Sequence, residues 1–208
     1  LKSDEKLDGY MIFKSNQGTG DHLKNELDSK TMKPYASGKI TGIVSNIPKI
    51  VKGGHVFFKI NSNNHEFWCA VYKPTGISTV ASHLIKGDKI HVGGGVRKAS
   101  KNFPRIINLE FIKIINLEKN NSVTNPLCKK CNKKMKSKGQ NQGFQCIRCG
   151  KKATKKTSIE IPRKIKKQLY LPKISAHRHL SRPLQRIGII NKSTKFDKSL
   201  SWFCVYRN

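Results

Sequence analysis

The chain has 208 residues, 36 % of them apolar, and carries 42 Lys and Arg against 12 Asp and Glu for a formal net charge of +30. That length holds one medium domain or two small ones with modest cores. No run of about 18 apolar residues exists to span a bilayer, and so much positive charge calls for a polyanionic partner, nucleic acid ahead of a membrane surface.

The charge is uneven. Residues 1–118 carry 18 Lys and Arg against 10 Asp and Glu, and residues 119–208 carry 24 against 2. Six cysteines, four of them in metal-ligand spacing, fit a reducing, cytoplasmic setting. The chain opens at Leu1 without a methionine, and Lys2, Asp4 and Glu5 follow, which is read as a fragment with no signal peptide.

Residues 1–35 hold a short apolar run, Tyr10-Met-Ile-Phe13, then the polar loop Ser15-Asn-Gln-Gly-Thr-Gly-Asp-His22 and an amphipathic helical turn or two from His22 to Leu27. A strand that delivers a Gly-containing loop to a helix start is one way to present a small-molecule or phosphate site. A solvated loop with Asp21 capping the helix accounts for the same residues. The segment is too short for a domain and is read as the end of a larger one.

Residues 36–119 change to strands. Gly38–Val44, Gly54–Ile60 and His65–Tyr72 are β-branched and aromatic runs separated by turn residues. A helical interlude at Ser78–Ile85 precedes Lys89–Gly93, and the long apolar run Ile106–Leu117 closes the unit. Three strands, a short helix and two more strands give the order of a five-stranded OB-fold barrel, with a small β-sandwich as the alternative. The step Leu84-x-x-Gly87-Asp88-x-Ile90 from helix to strand is its most discriminating piece. Phe57, Phe58, Phe67, Trp68 and Tyr72 alternate between core and outer face, and the sequence leaves open which are which. Gly93-Gly94-Gly95 admits either a phosphate backbone or a bulge.

Residues 120–157 are organised by Cys128-Lys-Lys-Cys131 and Cys146-Ile-Arg-Cys149. Two such hooks can close a tetrahedral four-sulfur shell around structural Zn²⁺, worth on the order of 10 to 16 kcal/mol of folding free energy. A knuckle needs backbone N–H groups turned toward sulfur, and Gly150 stands where a left-handed residue is required. Lys129, Lys130, Lys133, Lys134, Lys136 and Lys138 crowd the first hook, and Gln140, Gln142 and Phe144 belong to the hairpin between the hooks. This set suits unstacked RNA bases, and an ordinary polar hairpin accounts for the tip equally well.

Residues 158–208 form a basic C-terminal segment in which Arg178, Arg182 and Arg186 are candidates for phosphate contact. His177 and His179, two apart, do not make a second metal site, and Trp202 and Phe203 are expected to anchor the tail.

One family unites these pieces. Ser15-Asn-Gln-Gly-Thr-x-x-His22, Gly53-Gly54-His55-Val56, Leu84-x-x-Gly87-Asp88, Asn108-Leu109-Glu110, the ribbon with its Gly-x-x-x-Gly-Phe tip, and His177-x-His179-Leu180-x-x-Pro183-Leu184 occur in order. Together they resemble the carboxy-terminal half of the archaeal tRNA(Ile) agmatidine synthetases, the TiaS family. The resemblance implies an ATP-dependent ligase, also using Mg²⁺, that attaches agmatine to the wobble cytidine of isoleucine tRNA with a CAU anticodon. It also implies that the kinase-like domain and most of a ferredoxin-like domain lie outside this chain, which is then inactive alone. Residues 1–35 would be the tail of that α+β domain, with Asn16, Gln17, Thr19 and His22 near the agmatine and ATP pocket. Where the family often has Gly-Lys-Gly-Gln-Gly at the ribbon tip, this chain has Gly139-Gln-Asn-Gln-Gly143. A stand-alone nucleic-acid-binding module without catalysis is the competing reading, and a zinc-organised protein adaptor sits poorly with the charge.

Overall fold

The computed structural model of the chain describes residues 9–11, 15–101, 104–189 and 203–205. Strand β1 (Gly9–Met11) comes first, and the barrel follows with β2 (Ser37–Val44), the short β3 (Lys49–Ile50), β4 (Val56–Ser62) and β5 (His65–Val71). Helix α1 (Ser78–Ser82) then leads into β6 (Lys89–Arg97) and β7 (Ile106–Asn116). Strands β2, β4, β5, β7 and β6 close on themselves, because β6 pairs with both β7 and β2. The β5–β7 contact is parallel and the rest antiparallel. This is the five-stranded OB-fold barrel, and closure removes the open sheet edges that would otherwise invite aggregation.

Alternation explains much of the core. Along β4, Val56, Phe58 and Ile60 are buried while Phe57 and Lys59 face outward, and along β5 Phe67, Cys69 and Val71 point in. Phe58 and Phe67 are therefore core, whereas Phe57, Trp68 and Tyr72 are half-buried on the outer face. Lys59 lies over the Trp68 ring, 5.0 Å from its centroid, and Glu66 holds its ammonium at 2.8 Å. Burial pushes the Cys69 thiol far above its ordinary value.

Several expected boundaries shift for local reasons. Gly53 and Gly54 take positive φ and turn the chain before β4, so that strand starts at Val56 instead of Gly54. Helix α1 ends at Ser82 instead of Ile85, because Asp88 accepts the Ile85 N–H at 2.8 Å and draws the chain out of helical register. The expected helix from His22 to Leu27 is one 3₁₀ turn, Asp21–Leu23. Beyond it Asn25 and Leu27 exchange backbone hydrogen bonds with Lys39 of β2, both at 2.8 Å. Asp21 does not cap that turn, and its carboxylate pairs with Lys24 at 2.7 Å.

The three glycines of β6 stay within the strand, which runs on to Arg97, with a bulge between Gly93 and Gly94. A Cβ at Gly93 would strike the Phe111 ring, and one at Gly94 the Asn108 carbonyl oxygen. Close approach of β7, not of a phosphate, accounts for both.

Asp88 ties the next unit to the barrel. Its fully buried carboxylate accepts the N–H groups of Ile85 and Glu118, and Arg163 clamps both oxygens at 2.8 and 2.7 Å. The same guanidinium donates to the carbonyls of Glu118 and His83. Above this clamp rises a two-stranded stalk, β8 (Asn121–Thr124) with the later β12 (Thr157–Glu160). It carries a three-stranded sheet, β9 (Lys136–Ser137), β10 (Phe144–Gln145) and β11 (Lys152–Ala153), with β10 in the middle.

Past Arg163 the chain returns to the barrel. Ile165 joins its core, and β13 (Leu169–Tyr170) pairs with β7. β14 (Phe203–Val205) pairs with β1. Of the residues expected to anchor the tail, Phe203 opens β14, while Trp202 lies outside the described residues, as do Ile12 and Phe13 of the first apolar run.

Candidate metal centre and nucleic-acid interface

The two hooks fold into matching knuckles. In the first, Asn132 N–H donates to the Cys128 carbonyl at 2.7 Å and Cys128 N–H to that of Lys133 at 2.8 Å. In the second, Gly150 N–H donates to the Cys146 carbonyl at 2.9 Å and Cys146 N–H to that of Lys151 at 2.8 Å. The residue after each second cysteine is left-handed, with φ of 51° at Asn132 and 72° at Gly150. Asn132 was not singled out from the sequence, although Asn is among the few non-glycine residues that tolerate this conformation.

The knuckles bring the Sγ atoms of Cys128, Cys131, Cys146 and Cys149 within 4.8 Å of one another, with Cys128 and Cys149 at 3.4 Å. A tetrahedral Zn²⁺ with bonds of about 2.3 Å sets its sulfurs about 3.8 Å apart, so the donor set fits zinc in number, softness and spacing. The Cys128 thiol is held down to about 6, chiefly by the Cys131 N–H and then by that of Lys130, against the effect of burial. Cys131 is pushed up to about 12, first by its hydrogen bond with Cys149 and then by burial. A divalent cation relieves that sulfur–sulfur crowding and takes all four as thiolates. Among the described residues no other group of three or more His, Cys, Asp or Glu stands close enough to hold a metal, so His177 and His179 take no part in one.

Around this centre Lys129, Lys130, Lys133, Lys134, Lys136 and Lys138 are all exposed, and none pairs with a carboxylate among the described residues. From Lys119 to Ile159 there is no Asp or Glu to pair with, against 12 Lys and Arg. Gln140 and Gln142 are exposed at the tip, and Gln140 lines a cleft of about 570 Å³ with Ser137, Asn141, Thr154 and Lys156. Phe144 also lines that cleft, with little of its surface open to it. It is 7 % exposed and packs with Cys128, Met135 and Cys146, so it offers no open face for a base to stack on. Its role is to fill the ribbon's small core.

The remaining predicted residues gather at a second place. The loop of residues 15–22 docks on the C-terminal segment: Gly18 and Gly20 donate their N–H groups to the His179 and Leu180 carbonyls, each at 2.8 Å. Arg182 Nε donates to the Thr19 carbonyl at 2.9 Å, and the Arg186 guanidinium packs against Gly18. Thr19 Oγ1 donates to the Asn16 carbonyl at 2.6 Å, and the Asn16 and Gln17 side chains are exposed.

Glu110 of β7, 8 % exposed, joins the parts. His22 Nε2–H donates to its Oε2 at 2.8 Å and Ser181 Oγ–H to the same oxygen at 3.2 Å. Arg178 stands 3.2 Å from Oε1 without hydrogen-bond alignment. Arg178 and Arg182 are thus engaged within the fold, unlike the ribbon lysines. Glu110 was legible only as part of a motif, because its partners lie 88 and 71 residues away.

Comparison with known proteins agrees with this geometry. A family profile described as the TiaS C-terminal zinc ribbon domain matches residues 125–165. The chain is 45 % identical over 206 residues to the isoleucine-tRNA 2-agmatinylcytidine synthetase TiaS of Cenarchaeum symbiosum, covering 99 % of this chain and 46 % of that protein. It is 36 % identical to the same enzyme of Archaeoglobus fulgidus, covering 89 % and 43 %. Among solved structures it matches apo TiaS with a TM-score of 0.67 and 34 % identity, over 84 % of this chain and 40 % of that one. It also matches TiaS in complex with its isoleucine tRNA and ATP, with a TM-score of 0.67 and 34 % identity, over 82 % and 39 %. The chain therefore spans less than half the length of these relatives.

Proposed function

The chain belongs to the TiaS family, of which it is a carboxy-terminal portion, and from that premise we propose that it is the tRNA-holding half of an agmatine-transferring ligase. In this reading the enzyme uses ATP with Mg²⁺ to attach agmatine to the wobble cytidine of isoleucine tRNA with a CAU anticodon. The barrel (36–119) and zinc ribbon (120–157) grip the RNA, and the C-terminal segment (158–208) braces the end of a ferredoxin-like domain (1–35). The activity resides in the cytoplasm. No helix among the described residues is long and apolar enough to cross a membrane.

The observation that carries the reading is the ribbon's charge. The arm clamped to the barrel presents twelve cations without one acidic residue among them, and among the described residues only Lys119 at its root meets a carboxylate, Glu160 at 3.9 Å. Such an arm attracts phosphate, and the metal centre keeps its lysines in fixed places. Support for tRNA in particular comes from the matched TiaS complexes with isoleucine tRNA, one with ATP and one with AMPCPP and agmatine. Because the matched relatives are more than twice as long, the reading assigns binding of ATP and agmatine mainly to residues outside this segment, with Asn16, Gln17, Thr19 and His22 at the boundary of that pocket.

The test is competitive binding at about 0.15 M salt among isoleucine tRNA with a CAU anticodon, another tRNA and a random single strand. A preference for the first of more than about tenfold is expected. Affinity that ignores sequence and fold and follows salt alone would leave a generic nucleic-acid-binding module instead.

A further inference from the structure

Between β7, β13 and the docked loop opens a cleft of about 470 Å³ on the outside of the barrel. Strand register lays out its floor. Lys39 of β2, Gly93 of β6 and Phe111 of β7 stand side by side, and Thr41, His91 and Lys113 form the next row on the same face, where β13 adds Leu169 beside Lys113. The Phe111 ring occupies the space that a side chain at position 93 would fill, and with Leu23, Leu169 and Leu171 it gives the cleft an apolar wall. The rest of the lining is strongly cationic. Lys24, Lys39, Lys113 and Arg182 all line the cleft, and Glu110 is the one acid among its lining residues. Glu110 is already engaged, with His22 at 2.8 Å and Ser181 and Arg178 each at 3.2 Å. Lys24 reaches Asp21 at 2.7 Å and Lys39 reaches Glu26 at 3.5 Å. Among the described residues Lys113, an exposed side chain, meets no carboxylate, and Arg182 is held by its Nε–H to the Thr19 carbonyl and not by an acid.

We propose that this cleft holds one nucleoside monophosphate unit, its base against Phe111 and Leu169 and its phosphate at Lys113, with Lys39 and Arg182 adding to the positive field. An apolar wall with an aromatic ring beside an unpaired ammonium matches a ligand that is planar at one end and anionic at the other. The volume falls within the range of small-ligand sites, roughly 300–1,000 Å³. Aromatic contact accepts any base, so the cleft reads the class and not the sequence. The usual OB-fold surface lies elsewhere, on the second and third barrel strands. Here those are β4 and β5, where Lys59 is already held by Glu66 and the Trp68 ring. The unit can belong to an RNA strand or to a free nucleotide. In the first case the proposal rests on the reading that the chain binds RNA, and adds a holding point on the barrel apart from the ribbon's lysines.

The experiment uses the zinc-loaded 208-residue chain with labelled leucine and isoleucine methyl groups, titrated at about 0.15 M salt with heptacytidylate and, separately, with cytidine monophosphate. The methyl resonances of Leu23, Leu169 and Leu171 are expected to shift. A response to the oligomer places an RNA nucleotide in the cleft, a response to the mononucleotide alone places a free nucleotide there, and both support the site. Phe111→Leu keeps an apolar side chain over Gly93 but removes the ring, and should weaken the responding ligand by about fivefold or more, in line with the loss of one base–aromatic contact. Lys113→Gln leaves the packing alone and should lower the dependence of log affinity on log salt by about 0.7 for the oligomer, or weaken the mononucleotide. The methyl spectrum of each variant reports directly that the barrel is folded. Shifts confined to Ile147 in the ribbon overturn the cleft assignment and leave RNA binding intact. So does an unchanged affinity in folded Phe111→Leu or an unchanged response to salt and ligand in Lys113→Gln. No methyl response to either ligand, with no RNA binding by fluorescence anisotropy, overturns both readings.

Discussion

Replacing Arg163 with Met removes the clamp at the root of the ribbon's stalk while keeping most of the side chain's apolar bulk. Asp88 has no exposed surface, and the substitution deletes both guanidinium hydrogen bonds to it. The Glu118 and His83 carbonyls lose a donor at the same stroke. The Ile85 and Glu118 N–H groups remain, so the carboxylate is half-supported, not abandoned. Removing one partner of a buried ion pair costs about 3–5 kcal/mol. At about 4 °C or more per kcal/mol for a domain of this size, the barrel's melting midpoint should fall by about 12 °C or more. Circular dichroism in the far ultraviolet follows the barrel, and zinc release to a chromophoric chelator follows the ribbon. The first should move and the second should stay, because no metal ligand touches Arg163. A fall of less than about 3 °C would refute the reasoning, since it would mean that water already screens the pair.

Cys146→Ser should abolish stoichiometric zinc by elemental analysis and unfold the ribbon, while the barrel's β signal survives. Replacing Lys133, Lys134 and Lys136 together should flatten the dependence of log affinity for tRNA on log salt by roughly 0.7 to 0.9 for each phosphate that is no longer neutralised; an unchanged slope would put the RNA elsewhere. Gly94→Ala drives a Cβ into the Asn108 carbonyl and should cost about 1–3 kcal/mol or more by denaturant titration. Cys69, its thiol raised by burial, stays protonated at pH 8 and should escape alkylation by mass spectrometry even after chelation exposes the four ligand cysteines.

The parts of this fold written in local patterns were legible before any coordinates. Alternating apolar residues in β4 and β5, the Gly87-Asp88 step and the two Cys-x-x-Cys hooks each state their structure within a few residues. What distance in sequence conceals is the partner. Asp88 was visible as a discriminating residue, but Arg163, 75 positions on, was one basic residue among many. Phe144 misled for a related reason: a hairpin aromatic carries no mark of burial, and only the closing of the knuckles around Met135 shows that it is core. Arg178 and Arg182 looked like free cations because Glu110 and the Thr19 carbonyl are brought to them by β7 and by a loop near the other end of the chain. The glycines of β6 are explained by Phe111 and Asn108, and neither adjoins them in sequence.

The claim that a metal-held, acid-free ribbon grips the RNA is tested most directly by measuring tRNA affinity at about 0.15 M salt before chelation, after it, and after zinc is restored. The account predicts a loss of at least about tenfold on chelation and its recovery with zinc, because the lysines lose their fixed places while the net charge of the chain stays positive. An affinity that does not change when the metal is removed would contradict it.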